Sequence, residues 1–318
     1  MKRNFGFDIA RSFSMIYIVA ILHLSGYTDL AISQNNAFVS LIWSTLGVFT
    51  FLSSFLLSSR YSFKDSNDIC IFYKKRVLRF YPLFLISSLL LLAIHFNTTA
   101  ETLKGILGIA PFWKPQQHTL WYISMLIGLY ILTPLLSKKQ LYLIYQIVIF
   151  ILILILIGLI DFIFHSIDPR IYYYYIVYFA GILSAQYSSP KIVRIITSNT
   201  VLIISTVVYI VIFIGLFNRI GGRLVMMVEG YLGIIVILNL CNYLGNSIEK
   251  QFKIISFLSY ASMCAYLFHR EVYWGLLFLY QPSNNWGTIL YLFLIGVPIV
   301  FLISYNIQKY YDKVIKSF

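Results

Sequence analysis

Three ionisable side chains, Asp8, Arg11 and His23, interrupt the first apolar stretch of the chain. Such groups within a membrane span cost about 2.5–3.5 kcal/mol each on insertion scales, so they face a protein interior or a cavity. An imidazole takes up and releases protons near neutral pH, and we therefore single out His23 as a candidate catalytic group. Asp8 and Arg11 lie three residues apart and can pair on a helix surface. The alternative is an interfacial ion pair and a structural histidine.

A second candidate cluster is cationic and lies in residues 73–82, which read YKKRVLRFYP. Arg76 and Arg79 are three residues apart, on one face of a helix. Two guanidinium groups at a cytoplasmic cavity mouth would suit a phosphate-rich ligand such as coenzyme A, because the planar guanidinium binds phosphate through paired hydrogen bonds. The alternative is a membrane anchor with snorkelling cations, which is our interpretation of Lys74 and Lys75.

A third group combines aromatic and polar side chains. His118 and Trp121 begin one apolar segment, and His269 ends another on the same predicted side of the membrane. Arg270 and Glu271 follow His269 directly. Aromatic rings beside imidazole and carboxylate groups suit a sugar and its hydroxyls, so we predict substrate-binding roles for His118, Trp121 and His269. The alternative is that they are ordinary residues of the interfacial aromatic belt.

The elements that must position these residues are membrane helices. Of the 318 residues, 60% are hydrophobic and 11% charged, whereas soluble domains are about 45–50% apolar and about 25% charged. Crossing about 30 Å of hydrocarbon takes about 20 apolar residues, and the predicted segments of this kind are 7–28, 37–58, 77–96, 118–137, 140–160, 171–188, 197–217, 224–243, 254–280 and 287–307. We expect one all-α domain over residues 1–318, a polytopic bundle of about ten transmembrane helices.

Positive charge is divided unevenly between the two sides of these predicted helices. One side collects Lys2, Arg3, Arg60, Lys64, Lys74, Lys75, Arg76, Arg79, Lys138, Lys139, Lys191, Arg194, Lys250, Lys253, Lys309, Lys313 and Lys316. The other side collects Lys104, Lys114, Arg170, Arg219, Arg223 and Arg270. Because the side richer in Lys and Arg is cytoplasmic, both termini are predicted to lie in the cytoplasm.

The net charge of +13 would indicate nucleic acid in a soluble protein. Here the cations cluster in short loops between apolar runs, so no nucleic-acid partner is expected. The cysteines Cys70, Cys241 and Cys264 lie far apart, and neither a metal site nor a disulfide framework is predicted. Lys2 and Arg3 precede an apolar stretch as in a signal peptide. That stretch carries charged residues and lacks a small-residue cleavage site, so we expect a retained first helix.

Five segments, taken in order, resemble acyltransferase family 3, a family of integral-membrane O-acyltransferases. They are FDIARSFSMIYIVAILHLS, LGVFTFLSSFLLSSRY, FYKKRVLRFYPLFL, HTLWYISMLIGLYILTPLL and LSYASMCAYLFHREV. The first is similar to the opening helix of the family, with an Asp, an Arg and a downstream His. The last is similar to its Ser-x-x-Ser-x-x-x-Tyr-Leu-x-His segment. Together the five span almost the whole chain, and their order makes the match specific.

This resemblance implies an enzyme that moves an acyl group, often acetyl, from acyl-coenzyme A to a carbohydrate hydroxyl on the cell envelope. The expected donor is acetyl-coenzyme A, with no metal. The expected acceptor is an O-antigen, a capsule, an exopolysaccharide or a lipid-linked precursor. The expected location is the inner, cytoplasmic membrane, among its lipids, and the chain resembles the form of the family without a fused hydrolase-like domain.

The resemblance also implies roles for the candidate residues. A thioester is already activated, so a sugar hydroxyl chiefly needs a general base, which contributes about 10²–10⁴-fold, and stabilisation of the oxyanion. His23 would be that base, or would carry the acyl group covalently. Arg11, with Asp8 beside it, would orient the site or hold donor phosphate. Arg76 and Arg79 would bind the nucleotide end of the donor.

One spacing departs from the family. Ten residues separate the family's Arg from its His, whereas eleven, Ser12 to Leu22, separate Arg11 from His23. At about 100° per residue, the additional residue moves the two side chains from about 20° apart to about 120° apart. Either a π-bulge absorbs the additional residue, as happens often at functional sites, or the pair is not used as in the family.

A transporter or flippase for a lipid-linked saccharide is the main alternative, because it also needs basic, aromatic-lined cavities within the membrane. This alternative explains the composition equally well, but it does not explain the ordered set of motifs. A purely structural or signalling membrane subunit is a third interpretation, and it leaves His23 and the basic face formed by Arg76 and Arg79 unexplained.

Overall fold

The computed structural model describes residues 4–28, 35–113, 117–138, 142–187, 198–218, 220–247 and 252–316. These residues form helices and connecting turns, with no strand among them. The all-α prediction is therefore confirmed for the described part of the chain. Some cations that entered the orientation argument lie outside the described residues, namely Lys2, Arg3, Lys114, Lys139, Lys191, Arg194, Arg219 and Lys250.

Eleven helices are defined over the described residues, and ten of them cover the ten predicted segments. They are α1 (Phe5–Ser25), α2 (Asn36–Arg60), α3 (Ser66–Ala93), α4 (Thr99–Ile106), α5 (Trp121–Leu136), α6 (Leu143–Phe164), α7 (Arg170–Tyr187), α8 (Asn199–Phe217), α9 (Arg223–Ser247), α10 (Lys253–Leu279) and α11 (Asn285–Ile315). The helix α4, which begins with a capping box between Thr98 and Glu101, lies between the predicted segments 77–96 and 118–137, where no helix is predicted.

Seven helices in the described part are long and apolar enough to cross a membrane, namely α1, α2, α3, α6, α8, α9 and α11. A shorter apolar helix, α5, adds an eighth apolar segment. The helices α7 and α10 cover predicted crossings but are not among these seven. The multi-pass membrane character is thus established, whereas a count of ten crossings and two cytoplasmic termini stay predictions.

The largest difference from the predicted segments is at the start of α3. This helix begins at Ser66, where the Asp65 side chain caps it by accepting a hydrogen bond of 2.8 Å from the Asp68 backbone N–H. Lys74, Lys75 and Arg76, which precede the predicted segment 77–96, therefore lie on the helix, and Pro82 lies inside it. Apolar runs locate the part of a helix that lies in lipid, so they miss polar turns that continue beyond the membrane.

Packing divides the chain into two compact units, Met1–Phe49 with Ser189–Phe318, and Thr50–Ser188. The predicted domain over residues 1–318 is a functional unit. The division into two packing units does not test that prediction. In the first unit α1 packs against both α9 and α10. Within the most apolar 18-residue stretch of α1, 67% of the residues are buried. In α8, by contrast, only 11% of the corresponding stretch is buried, as expected for a lipid-facing helix.

Small residues bring α1 and α9 together in the first unit. A β-carbon on Gly6 would lie 2.7 Å from the Asn242 Cα, and one on Gly245 would lie 2.6 Å from the Gly6 backbone nitrogen. Glycine at both positions lets the two backbones approach closely, as at other helix crossings within membranes. The helix α9 also buries Glu229, whose carboxylate accepts a hydrogen bond from the Ser40 hydroxyl on α2.

The second unit has an aromatic core in which the hydroxyls of Tyr175 and Tyr178 are hydrogen-bonded. Tyr173, Tyr174, Tyr175 and Tyr178 on α7 are completely buried. The Tyr178 hydroxyl lies 2.5 Å from the Thr133 hydroxyl on α5. Buried phenols need such partners because an unpaired hydroxyl in an apolar environment is costly. These contacts fix α7 against α5, the helix that begins with the predicted site residue Trp121.

Candidate functional site

His23 follows directly after a π-helical segment in α1. Residues Tyr17–Leu22 form this segment, and the backbone N–H of His23 donates to the Ile18 carbonyl, five residues before it. A π-bulge takes up one additional residue within an α-helix. Arg11 and His23 are thereby returned to within about 20° of one face, as in an uninterrupted helix with one residue fewer. The first of the two predicted outcomes for the eleven-residue spacing is therefore confirmed.

The ring of His23 stacks on the ring of His269 from α10. The two ring centroids are 4.6 Å apart and the rings are inclined by only 3°. His269 is completely buried, and His23 is half-buried. Two imidazoles from opposite ends of the sequence thus form one compact pair, which we call the histidine pair.

Hydrogen bonds fix the tautomer of His269. Its Nδ1 lies 3.1 Å from the Ala265 carbonyl oxygen and 2.9 Å from the Tyr266 carbonyl oxygen. Carbonyl oxygens only accept, so Nδ1 carries the proton and Nε2 presents a lone pair. That buried Nε2 has no hydrogen-bond partner among the described residues, and neither has the buried Nδ1 of His23. The histidine pair therefore offers two ring nitrogens for a reacting group, a role that buried orphan atoms often have.

Arg270 places a fixed positive charge beside the histidine pair. Its Nη1 donates a hydrogen bond of 3.3 Å to the His23 carbonyl oxygen at the last turn of α1. Its guanidinium carbon lies 5.2 Å from the centroid of the Tyr27 ring. A cation at a helix C-terminus is favourable because the terminal carbonyls carry partial negative charge. Arg270 was not among the predicted site residues, and its only sequence signal was its position next to His269.

Tyr273 braces the π-helical segment from α10. Its hydroxyl donates a hydrogen bond of 3.1 Å to the Val19 carbonyl, inside Tyr17–Leu22. On another side, a β-carbon on Gly296 would lie 3.0 Å from the Tyr273 ring, so glycine makes room for it. Gly296 ends a second π-helical segment, Leu292–Gly296. Tyr273 therefore links these two π-helical segments, and no sequence pattern had indicated its role.

Asp8 and Arg11 lie on the same helix as His23 but far along it. The twelve residues from Arg11 to His23 correspond to about 18 Å along the helix axis. Asp8 is buried, and its carboxylate accepts a hydrogen bond of 2.7 Å from the Ser259 hydroxyl on α10. Asp8 and Arg11 therefore cannot contact the same reacting atom as His23. They could contact the opposite end of a long ligand.

Arg76 and Arg79 belong to the second unit and differ in exposure. Arg79 is exposed, whereas Arg76 is half-buried, and its Nε is buried without an acceptor among the described residues. Arg76 lies close enough to Tyr178 for the two side chains to interact electrostatically. A guanidinium with an unused, partly desolvated donor is suited to an anionic group such as a phosphate.

His118 and Trp121 have different surroundings within the second unit. His118 is exposed, and its backbone N–H donates to the Asn97 side-chain oxygen at 3.3 Å. Trp121 is 8% exposed, and the Arg170 guanidinium lies 3.6 Å from the centroid of its ring. Arg170 also pairs with Asp168. The substrate-binding roles stay predictions, and that of Trp121 requires Arg170 to leave the ring.

The eight predicted site residues thus fall into three groups. The structure brings two of them into contact, namely His23 and His269. Two lie at the other end of α1, namely Asp8 and Arg11. Four belong to the second unit, namely Arg76, Arg79, His118 and Trp121. The resulting arrangement in the first unit is a buried pair of imidazoles with a guanidinium alongside, which is suited to proton transfer next to a developing negative charge.

A family model described as an acyltransferase domain, that of acyltransferase family 3, matches residues 4–305. The match covers nearly the whole chain and includes every predicted site residue. Searches of curated proteins and of solved structures find no match. The resemblance drawn from the five sequence segments is therefore confirmed.

Proposed function

We propose a reaction for this chain on the premise that it belongs to acyltransferase family 3, which makes it a membrane acyltransferase. The reaction is the transfer of an acyl group, acetyl in the first instance, from cytoplasmic acyl-coenzyme A to a hydroxyl of a cell-surface or lipid-linked carbohydrate. The observation that carries this proposal is the histidine pair, His23 stacked on His269 at 4.6 Å with ring nitrogens that have no partner among the described residues.

His23 acts as the general base in this proposal. The acceptor hydroxyl oxygen attacks the thioester carbonyl carbon while the hydroxyl proton passes to the His23 ring. The carbon–sulfur bond then breaks, and the departing thiolate takes the proton from the imidazolium. The products are an ester and the free thiol, with no net change in protons. A base that is positioned in this way contributes about 10²–10⁴-fold.

Arg270 stabilises the charge that develops during this step. When the hydroxyl oxygen adds to the thioester, the carbonyl oxygen becomes negative, and fixed positive groups at that position lower the barrier. The guanidinium of Arg270 is held near the histidine pair by the His23 carbonyl and the Tyr27 ring. It therefore needs little reorganisation at the moment of reaction, which is the condition for effective electrostatic stabilisation.

The donor is assigned to cationic residues. An acyl-coenzyme A molecule is long, with the thioester at one end and the phosphates towards the other. In α1, Arg11 stands about 18 Å along the axis from His23, which supports a contact with the phosphate-bearing part. Within the second unit taken by itself, the Nε of Arg76 is buried without an acceptor among the described residues, which supports a phosphate-binding role for Arg76 and for Arg79 one helix turn away.

The acceptor and the location are proposed from the family resemblance and from the charge distribution. The proposed acceptor is an O-antigen, a capsule, an exopolysaccharide or a lipid-linked precursor. The side of α1 that carries His23 is extracytoplasmic under the predicted orientation, which places the reaction where such glycans are assembled. We assign the protein to the cytoplasmic membrane on the same argument.

The experiment separates this enzyme from a saccharide flippase. Purified protein in lipid nanodiscs receives acetyl-coenzyme A labelled in the acetyl group, together with the glycan-bearing lipid fraction of its host. An acyltransferase places the label on the glycan. A flippase leaves the glycan unlabelled, and translocation of saccharide in liposomes without any incorporation of label would overturn the proposal.

A further inference from the structure

A polar cleft lies at the end of the helices that carry the histidine pair. It has a volume of about 450 Å³ and is lined by residues 26–28 and 281–285 together with Thr288. This volume falls within the range of about 300–1,000 Å³ that is typical of small-molecule sites. The first stretch follows the end of α1, and the second joins α10 to α11.

The wall of the cleft is continuous with the proposed catalytic groups. The Gly26 backbone N–H donates to the His23 carbonyl at 3.3 Å. A β-carbon on Gly26 would lie 3.4 Å from Arg270 Nη1, and the Tyr27 hydroxyl donates to the Arg270 carbonyl at 3.4 Å. Gly26 of the cleft lining therefore lies one helix turn from His23 along the backbone, and a side chain at this position would contact the Arg270 guanidinium.

The chemistry of the cleft is neutral and rich in hydrogen-bonding groups. The described residues that line it carry amides and hydroxyls, with no charged side chain among them. Tyr280 and Trp286, which flank its second stretch, are 60% and 66% exposed. Amides that donate and accept, next to exposed aromatic faces, match the hydroxyls and the apolar faces of a sugar ring.

The amide side chains of Gln281 and Asn285 are better placed to bind a ligand than that of Asn284. Asn284 is committed to its own helix, because its side-chain oxygen accepts from the Gly287 N–H at 2.7 Å and caps α11. Gln281 is exposed and Asn285 is half-buried, and both line the cleft. The ligand-binding contacts are therefore assigned to Gln281 and Asn285.

We propose that this cleft binds the neutral sugar residue that accepts the acyl group and presents its hydroxyl to His23. This inference rests on the proposed function and adds the position and the chemical class of the acceptor site. It makes residues 281–285, rather than the aromatic start of α5, the determinant of which sugar is modified. A finished polysaccharide and a lipid-linked precursor both supply such a sugar.

The kinetic test uses the double variant Gln281→Ala with Asn285→Ala. Its acceptor KM should rise at least about tenfold, since two hydrogen bonds are lost, while the donor KM stays at the parental value. Purified surface polysaccharide and the lipid-linked precursor fraction are titrated separately, and the one whose KM rises is the source of the sugar. The matched control Asn306→Ala removes an exposed amide from the other end of α11 and should leave both KM values unchanged.

A labelling measurement covers the case in which the double variant does not fold. Asn285→Cys and, separately, Asn306→Cys are introduced into a Cys70→Ser background, which lacks the exposed native thiol. Each protein is purified into lipid nanodiscs, in which both membrane faces are open to solution, and is treated with a maleimide. Saturating glycan should slow labelling of Asn285→Cys at least about fivefold, but should leave labelling of Asn306→Cys unchanged. Parental acceptor KM in the double variant, or no protection of Asn285→Cys, overturns the acceptor site. Lack of any acetyl transfer by the parental protein would instead overturn the proposed function.

Discussion

At the scale of single residues, the proposed chemistry depends on the imidazole of His23, which stacks on His269 with 4.6 Å between the ring centroids. His23 was recognisable because an ionisable group in an apolar run needs a reason to be there. Its partner was harder to assign, and His269 was predicted only as a substrate-binding residue. The 4.6 Å stack of the two rings depends on the packing of α10 against α1, which no local pattern encodes.

The donor prediction also belongs to this scale. Replacing Arg76 and Arg79 by Ala should raise the donor KM at least about tenfold, because charge-assisted hydrogen bonds to phosphate are lost. The variant with Lys74→Ala and Lys75→Ala removes the same charge from exposed positions of the same helix and should change the donor KM little. Steady-state kinetics with varied acetyl-coenzyme A measures both. Equal effects of the two double variants would reduce the arginines to membrane anchors.

At the scale of elements, the π-helical segment Tyr17–Leu22 explains how the chain carries one residue more than the family spacing. The Tyr273 hydroxyl bonds the Val19 carbonyl inside it, so the irregular turn is stabilised by a neighbouring helix. Irregular turns within lipid are tolerated when such partners satisfy the backbone groups. The register of His23 is therefore a property of α1 and α10 together.

Changing the length of this segment tests the register directly. Deleting Ala20 should convert the segment to regular α-helix and keep His23 within about 20° of its present face, so a substantial part of the activity should remain. Inserting one Ala after Ala20 should turn His23 by about 100° and lower acetyl transfer at least about a hundredfold. Both variants are compared by labelled acetyl transfer at equal membrane content. A deletion that is as harmful as the insertion would contradict the assignment.

The helices themselves were largely predictable, and their limits were not. Apolar runs located ten of the eleven helices in the described part of the chain, because lipid requires long apolar stretches. They did not locate the Asp65 cap of α3 or the helix α4, since these features depend on short polar capping signals. A π-bulge was suggested only by the spacing between Arg11 and His23, which is one residue longer than in the family. Its confirmed location at Tyr17–Leu22 required the structure.

At the scale of the whole molecule, the family was predictable because its motifs recur in order along the chain, and the match over residues 4–305 confirms it. The cleft beside Arg270 was not predictable, because it joins residues 26–28 to 281–285 across most of the sequence. Orientation in the membrane rests on the distribution of Lys and Arg. It determines which end of α1 meets the glycan.

Topology reporters test that orientation. Fusions after residue 62 and at the C-terminus should report the cytoplasm, and fusions near residue 104 should report the outside, because the cation-rich loops are expected to stay inside. A reporter pair that is active on opposite sides, such as alkaline phosphatase and a fluorescent protein, gives each position two independent measurements. A reversed result at any one position would overturn the predicted order of crossings and the assignment of His23 to the outer side.

The most direct test of the central claim is the rate of labelled acetyl transfer to glycan by His23→Gln. Glutamine can keep a structural hydrogen bond but cannot accept a proton near neutral pH. The rate should fall at least about a hundredfold, with membrane insertion and Tm unchanged. His165→Asn, which replaces an exposed imidazole at the left-handed end of α6, should keep the parental rate because Asn tolerates that backbone conformation. A His23→Gln protein that acetylates glycan at close to the parental rate would contradict the account.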